Sequence, residues 1–206
     1  METIYQFSLK AGEIRIPEQD VYRYLGYMGH KPEEADARRI AEGIKKTEAL
    51  AAPKACYGLF DIEIKGENVV LPYGEIHSKS LAAWCEGCSR AYIFAATIGA
   101  AIDRQIKTAS VRSMSEAAIL QSCGAAAVEE FCNILNKKLD LESEEKGYKN
   151  VKRYSPGYGD LELTENQKGV FSILNPGKYI GLSLMDTCIM SPEKSVTAII
   201  GVKDEK

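Results

Sequence analysis

Alternating and continuous apolar stretches predict the strands of this protein. Phe60, Ile62 and Ile64 alternate with acidic residues, the period of two that a half-buried strand requires. The polar residues 65–68 then lead into a second apolar stretch, so a hairpin is predicted. The nearly continuous apolar run 91–98 is typical of a strand that is covered on both faces. These segments indicate a sheet with a buried centre.

Apolar residues at helical spacing predict a series of helices. A short helix is expected after Pro17 and a second over residues 33–50, and a third passes through Ile102 and Ile106. The longest spans about residues 115–139. Its apolar stripe consists of Leu120, Gly124, Ala127, Val128, Phe131 and Leu135. A glycine on this stripe indicates close packing, and the charged residues 140–150 that follow are expected to form a surface connection.

The last third of the chain predicts one helix and two strands. Residues 164–167 fit a capping box, and the helix that they begin should end near residues 175–177. Alternation over residues 180–184 and the apolar run 196–200 predict two closing antiparallel strands. Because strands and helices come in mixed groups, we expect an α+β fold with a twisted antiparallel sheet and several helices, formed by one domain over residues 1–206.

Composition and charge narrow the classes of protein. The 206 residues are 45% hydrophobic and 27% charged, as in a folded domain, and the formal net charge of −3 argues against a nucleic-acid partner. The longest apolar run is too short to cross a bilayer, and residues 1–4 lack the basic-then-apolar plan of a signal peptide. We therefore expect no membrane partner and a cytoplasmic location.

The most informative segment is Arg153-Tyr-Ser-Pro-Gly-Tyr-Gly-Asp160. Arg153 offers a planar fork of donors for a carboxylate or a phosphate. Pro156 restrains the backbone, while Gly157 and Gly159 can adopt conformations that other residues avoid, so the segment is suited to close approach of a ligand. An ordinary surface turn with an incidental arginine is the alternative.

Cysteines supply a second candidate site. Cys85 and Cys88 have the CxxC spacing of thiol redox and metal sites, but there is no second CxxC, and neither His30 nor His77 lies at a zinc spacing. Two incidental reduced thiols are the alternative. The glycine-rich nucleotide motifs and the Gly-x-Ser-x-Gly motif are absent from the sequence, so it indicates no complete active site.

Together with other segments, residues 153–160 resemble the activation domain of cobalamin-dependent methionine synthase, particularly its short free-standing homologues. The further matching segments are residues 95–99, Glu129-Glu130-Phe131, residues 180–184 and residues 190–196. The resemblance is most secure over residues 90–201. It divides the chain into an N-terminal part, residues 1–89, with helices and a hairpin, and a better matching part, residues 90–206.

The resemblance implies a function and its partners. Such a domain binds S-adenosylmethionine and presents it to a cobalamin-binding methionine synthase or corrinoid protein whose cobalt has reached the cob(II) state. One electron from an external flavodoxin- or ferredoxin-like donor, together with the methyl group, then restores methylcobalamin. On this hypothesis the chain is an accessory reactivation module, a component of a methyltransferase system without a complete active site of its own.

The resemblance also implies roles for individual residues. Arg153 would hold the methionyl carboxylate, and the backbone around Ser155, Gly157 and Tyr158 would contact the rest of the ligand. Glu129 would lie near the ligand's amino group, although the helical wheel places it nearly opposite Phe131 and hence toward solvent. The remaining loop residues, expected to shape the segment, are Tyr154, Pro156, Gly159 and Asp160.

Two departures from the family pattern keep an alternative open. Ile199-Ile200 stands where the full-length enzymes carry an aromatic pair that includes a ligand-contacting tyrosine. No equivalent of their N-terminal acidic-aromatic segment is found before Tyr22. The alternative is therefore a non-catalytic interaction module for a corrinoid protein that has lost S-adenosylmethionine binding.

Overall fold

The computed structural model describes residues 3–204, which form ten strands and seven helices. The strands are β1 (Tyr5–Ser8), β2 (Lys54–Asp61), β3 (Glu63–Lys65), β4 (Asn68–Leu71), β5 (Gly74–His77), β6 (Arg90–Thr97), β7 (Tyr148–Asn150), β8 (Ser183–Leu184), β9 (Met190–Ser191) and β10 (Ser195–Asp204). The helices are α1 (Glu18–Tyr24), α2 (Glu34–Leu50), α3 (Lys79–Trp84), α4 (Ala100–Arg112), α5 (Met114–Glu144), α6 (Leu163–Leu174) and α7 (Pro176–Ile180). Met1 and Glu2, which begin the stretch used for the signal-peptide prediction, lie outside the described residues.

Strand β6 forms the centre of the main sheet. The strand order is β1-β2-β6-β10-β7, and every pairing is antiparallel. Each residue of β6 has one partner in β2 and another in β10. The α+β fold with an antiparallel sheet is therefore confirmed, as is the strand predicted from the apolar run 91–98.

The two faces of the sheet bury separate cores. Tyr92, Phe94 and Ala96 pack with the apolar residues of α1, α2, α4 and α5. Ala91, Ile93 and Ala95 alternate with them and face a second core built from the small sheet β3–β5 and helices α3, α6 and α7. Because both faces are covered, β6 consists almost entirely of apolar residues.

Helix α5 is the longest element and extends beyond its predicted end. Gly124 packs closely, as predicted, since a Cβ there would lie 3.1 Å from Lys194 Cε and 3.2 Å from Ile102 Cγ2. The surface connection predicted over residues 140–150 is wrong. Those residues complete α5 and form β7, because Ser143 is buried and donates a hydrogen bond to Asn150 Oδ1 at 2.8 Å.

The C-terminal third differs from prediction in three ways. The start of α6 is capped by the Glu162 carboxylate, which accepts from the amides of Thr164 (2.8 Å) and Glu165 (2.6 Å), so the predicted capping box is wrong. The strand predicted over residues 180–184 is reduced to Ser183 and Leu184, because α7 continues to Ile180 and Gly181 has φ +68°. Strand β10 pairs with β6 and β7 and not with that segment.

The hairpin predicted around residues 65–68 is confirmed as β3 and β4. The strand predicted through Phe60, Ile62 and Ile64 is divided between the end of β2 and β3. The first part of β2, strand β5 and helix α3 had no clear sequence signal, since β2 directly follows Pro53 and α3 has only six residues. Within residues 3–204, no helix combines the length and the apolar character needed to span a membrane.

Candidate functional site

A cleft of about 720 Å³ opens between helix α5, the end of helix α3 and residues 151–160, which we call the site loop. The loop extends the edge of the main sheet. Val151 N donates to Gly201 O at 2.9 Å, and Tyr154 and Ile199 exchange two backbone hydrogen bonds of 2.8 Å. The loop is thereby held against β10, with its side chains near α5.

Arg153 connects the site loop to α5. Its guanidinium forms an ion pair with Glu129 and donates to Asn133 Oδ1 at 2.9 Å. Asn136 is oriented so that its side-chain oxygen and nitrogen both have hydrogen-bond partners. The oxygen accepts from the Arg153 guanidinium at 2.8 Å, and the nitrogen donates to Cys132 O at 3.1 Å. The Arg153 and Glu129 side chains are 20% and 34% exposed, so the pair is reachable from the cleft.

The partners of Arg153 belong to a polar stripe along α5. Glu129, Asn133, Asn136 and Asp140 line the cleft at helical spacing. At the far end, Asp140 Oδ1 accepts a 2.8 Å hydrogen bond from Asn150. The helix therefore buries one stripe in the core and presents another to the cleft, and Glu129 lies in the cleft and not in open solvent.

Aromatic rings border the opposite wall. The Trp84 and Tyr154 ring centroids are 5.6 Å apart, and Tyr158 lies edge-on to Tyr154 at 6.4 Å. Trp84 Nε1 donates to Lys152 O at 2.6 Å, which fixes the indole against the loop. Tyr158 and Trp84 remain exposed, so their faces are available to a planar or cationic ligand.

Asp160 anchors the far end of the site loop to α3. Its carboxylate accepts from Ser78 Oγ at 2.6 Å and from the amides of Lys79 and Ser80 at 2.8 and 3.2 Å. The Ser78 and Ser80 hydroxyls, with these amides, hold the Asp160 pKa well below its usual range. Asp160 therefore positions the loop from outside the cleft.

The glycines have different roles. Gly159 lines the cleft with φ +55°, and a Cβ there would lie 2.5 Å from Ser80 Oγ. Gly157 has φ +89° and does not line the cleft, and a Cβ there would lie 3.6 Å from Leu163 Cδ1. Pro156 is buried. The ligand contact predicted for Gly157 stays a prediction.

The structure brings most of the predicted site residues together. Those that line the cleft are Glu129, Arg153, Tyr154, Ser155, Tyr158 and Gly159. Sequence reasoning missed Trp84, Asn133, Asn136, Asp140, Asn150, Val151 and Lys152. Their helical spacing along α5 could have indicated Asn133, Asn136 and Asp140. Nothing in the sequence relates Trp84 to the loop. Ile200, one of the two residues at which the sequence departs from the resemblance, also lines the cleft.

The CxxC pair lies in the second core, beside β10. All six cysteines are free thiols. Within residues 3–204, no three histidine, cysteine or acidic side chains cluster so as to hold a metal ion. Cys85 and Cys88 are therefore a buried dithiol pair without further ligands of these types.

Comparisons with known proteins bear on the fold. No family model matches the chain, and no curated protein matches it. Among solved structures, it is similar to the crystal structure of the MetH reactivation domain bound to AdoHcy, with a TM-score of 0.71. The match covers 97% of this chain and 78% of that chain at 13% identity. The chain thus has the fold of a reactivation domain, and at this identity the similarity concerns the fold alone.

Proposed function

We propose that this protein binds S-adenosylmethionine in the cleft and supports reductive methylation of cob(II)alamin on a cobalamin-dependent methionine synthase or a related corrinoid methyltransferase. The carrying observation is the Arg153–Glu129 ion pair, which faces a cleft with an aromatic wall. The fold shared with a reactivation domain bound to AdoHcy supports the same ligand class.

The ion pair suits an amino-acid ligand. An α-amino acid carries a carboxylate, which Arg153 can bind in a bidentate manner, and an ammonium, which Glu129 can accept. When the ligand binds, the ion pair between Arg153 and Glu129 would open. Arg153 would then contact the ligand carboxylate, and Glu129 would contact the ligand ammonium. A ligand with only one of the two charges would leave a partly buried charge unpaired, at a substantial cost.

The rest of the cleft suits the other parts of the molecule. Its volume lies within the range of about 300–1,000 Å³ that is usual for sites of drug-sized ligands. The exposed faces of Trp84 and Tyr158 can stack on adenine or approach a sulfonium. Amide and carboxylate groups at the Asn136 and Asp140 end offer partners for hydroxyl groups.

The chain itself supplies binding and orientation. S-adenosylmethionine would provide the methyl group, while the cobalt belongs to the partner protein and the electron to an external donor. Holding the sulfonium near a docked corrinoid converts a bimolecular encounter into a local one. Because Trp84 and Tyr158 are exposed at the cleft, the ligand would remain accessible to that partner.

Calorimetric titration with S-adenosylmethionine and S-adenosylhomocysteine tests the proposal. We expect saturable binding of both, and a loss of about tenfold to a hundredfold in affinity for Arg153→Ala, because charge-assisted hydrogen bonds are removed. Arg38→Ala on α2 is the matched control, since among the described residues that exposed arginine pairs with Glu34 alone. It should leave the affinity unchanged.

Absence of binding at millimolar ligand would contradict the proposal. It would favour the alternative of a non-catalytic corrinoid-protein interaction module, in which the fold is retained without the small ligand. One specific observation supports that alternative: aliphatic Ile200 lines the cleft where the family pattern has an aromatic pair. Co-purification with a corrinoid protein, unchanged by Arg153→Ala, would then be expected.

A further inference from the structure

Cys85 and Cys88 are held in a turn that fits a disulfide. Cys88 N donates to Cys85 O at 2.9 Å, and Gly87 has φ +75° at the third position of this four-residue turn. A β-turn keeps its first and last Cα atoms within about 7 Å. Disulfides span Cα separations up to about 6.8 Å. The backbone therefore already has the approximate geometry of the oxidised pair.

The two sulfur atoms converge on one point of β10. A Cβ on Gly201 would lie 2.7 Å from Cys88 Sγ and 3.1 Å from Cys85 Sγ, so the missing side chain of Gly201 makes room for both. Both sulfur atoms therefore lie against the same backbone position of β10. This arrangement distinguishes the pair from a single buried cysteine.

The electrostatic setting makes Cys88 the more reactive thiol. The hydrogen bond from Cys85, aided by Lys203, lowers the pKa of Cys88. Burial instead raises the pKa of Cys56, Cys123 and Cys132 to about 12. Since the thiolate is the nucleophile, reaction with an oxidant is favoured at Cys88 over these three cysteines.

The dithiol adjoins the cleft through two chain neighbours. Trp84 precedes Cys85 and lines the cleft, where its indole donates to Lys152 O. Ile200 precedes Gly201 and lines the same cleft. We expect a displacement of the sulfur atoms toward the bonding distance of about 2.05 Å to be transmitted through the backbone to these two cleft residues.

We propose that Cys85 and Cys88 form a redox site that a hydroperoxide oxidises to a disulfide, which moves Trp84 and weakens ligand binding in the cleft. The Cys88 sulfur attacks one oxygen of hydrogen peroxide, so that the O–O bond breaks and a sulfenic acid and one water form. The Cys85 sulfur then attacks Cys88 Sγ, forming the S–S bond and releasing a second water. Two thiols lose two electrons and two protons, and peroxide is reduced to water.

Peptide mapping with tryptophan fluorescence tests the site without any ligand. Trypsin releases residues 80–90 as one peptide that contains both cysteines and Trp84, the only tryptophan of the chain. After hydrogen peroxide treatment of the full chain, we expect this peptide to lose the mass of two hydrogens and the Trp84 emission to change. Dithiothreitol should reverse both effects.

Variants distinguish the pair from other thiols. Cys88→Ser should abolish the fluorescence response, while Cys188→Ser, in the loop between β8 and β9, should retain it. A wild-type peptide that keeps both thiols free, or an emission unaffected by disulfide formation, would overturn the proposal. The wild-type map decides the chemistry even if Cys88→Ser fails to fold.

The effect on ligand affinity rests on the proposed function. If reduced protein binds S-adenosylmethionine, we expect oxidised protein to bind it about fivefold or more weakly, as when one hydrogen bond is lost. Equal affinities would overturn the regulatory role. If reduced protein does not bind the ligand, the proposed function fails, while the peptide map and fluorescence still decide whether the redox site exists.

Discussion

Arg153 and Asp160 carry opposite charges in one loop and perform different tasks. The guanidinium of Arg153 turns into the cleft toward Glu129. The carboxylate of Asp160 instead accepts hydrogen bonds from the first residues of α3 and lies outside the cleft. The charge at the end of this loop is thus a structural anchor, whereas the charge that faces the cleft lies at its start.

Asp160→Asn should lower the stability of the fold at pH 7. The folded pKa of Asp160 is depressed below the unfolded value of about 3.9 by the Ser78 and Ser80 hydroxyls and the amides of α3. Its contribution is therefore complete well above pH 4 and is lost as the pH falls from about 4 toward the folded pKa. Thermal unfolding should show a lower Tm than wild type at pH 7 and a smaller difference at pH 3.

The control for this substitution is Asp186→Asn. Asp186 is exposed between β8 and β9, and its side chain makes no hydrogen bond with the described residues. Its Tm should match wild type at both pH values. A pH-independent difference for Asp160→Asn would contradict the role of the charge.

At the residue scale, the loop was predictable because its composition is unusual. An arginine, a proline and two glycines close together indicated a shaped segment, and Arg153, Ser155 and Tyr158 do line the cleft. Trp84 was not predictable from the sequence. Trp84 ends the six-residue helix α3, and the hydrogen bond from Ser78 to Asp160 holds the start of that helix against the site loop. These two residues are 82 positions apart in the sequence.

At the element scale, α5 combines a core helix with a wall of the cleft. Its apolar stripe was recognised from periodicity, and Phe131 and Leu135 of that stripe are fully buried. The polar stripe of Glu129, Asn133, Asn136 and Asp140 has the composition of a solvent-exposed helix face. Residue spacing alone does not show which other part of the chain lies opposite such a face. The cleft exists because the site loop, held to β10, lies opposite that stripe.

Gly169→Ala in helix α6 should destabilise the protein despite improving helix propensity. A Cβ at Gly169 would overlap the Tyr73 ring, at 2.6 Å from Cγ, and the Tyr73 hydroxyl is held by Asn166. The propensity gain is about 1 kcal/mol, whereas overpacking costs about 1–3 kcal/mol. Urea unfolding should therefore show a lower free energy of unfolding than wild type.

Gly177→Ala in helix α7 is the matched control. A Cβ there would lie 3.7 Å from Leu182 O, an ordinary contact. Its free energy of unfolding should equal that of wild type or exceed it by up to about 1 kcal/mol. Equal effects of the two substitutions would argue against the close packing of α6 on Tyr73.

Element boundaries were least predictable where tertiary contacts override local pattern. The charged residues 140–150 have the composition of a loop, yet buried Ser143 and Asn150 join the end of α5 to β7. Residues 180–184 alternate like a strand, yet α7 continues to Ile180 and Gly181 has φ +68°, so only Ser183 and Leu184 form a strand.

At the scale of the whole molecule, the sheet ties the two halves of the chain together. Strand β6 lies between β2, from the N-terminal part, and β10, from the C-terminal end. The N-terminal strands and helices therefore complete both cores. The single domain over residues 1–206 stays a prediction, which an unfolding experiment can test.

We expect the full chain to unfold in one cooperative transition. Trp84 fluorescence and far-ultraviolet circular dichroism should give coincident urea curves, since each half lacks a complete core. A fragment of residues 90–206 should remain unfolded, because β6 would lose β2 on one side. Two separated transitions, or a folded fragment, would show that the division near residue 90 marks an independent domain.

The Arg153–Glu129 pair has a further consequence for the kinetics of the proposed ligand binding. The charged side chains that line the cleft are two acidic ones, Glu129 and Asp140, and two basic ones, Lys152 and Arg153. Their formal charges therefore sum to zero. Such a surface exerts little attraction at distances beyond a Debye length, so electrostatic steering would contribute little to ligand capture. The rate of capture would instead depend on diffusion and on how often the guanidinium and carboxylate separate.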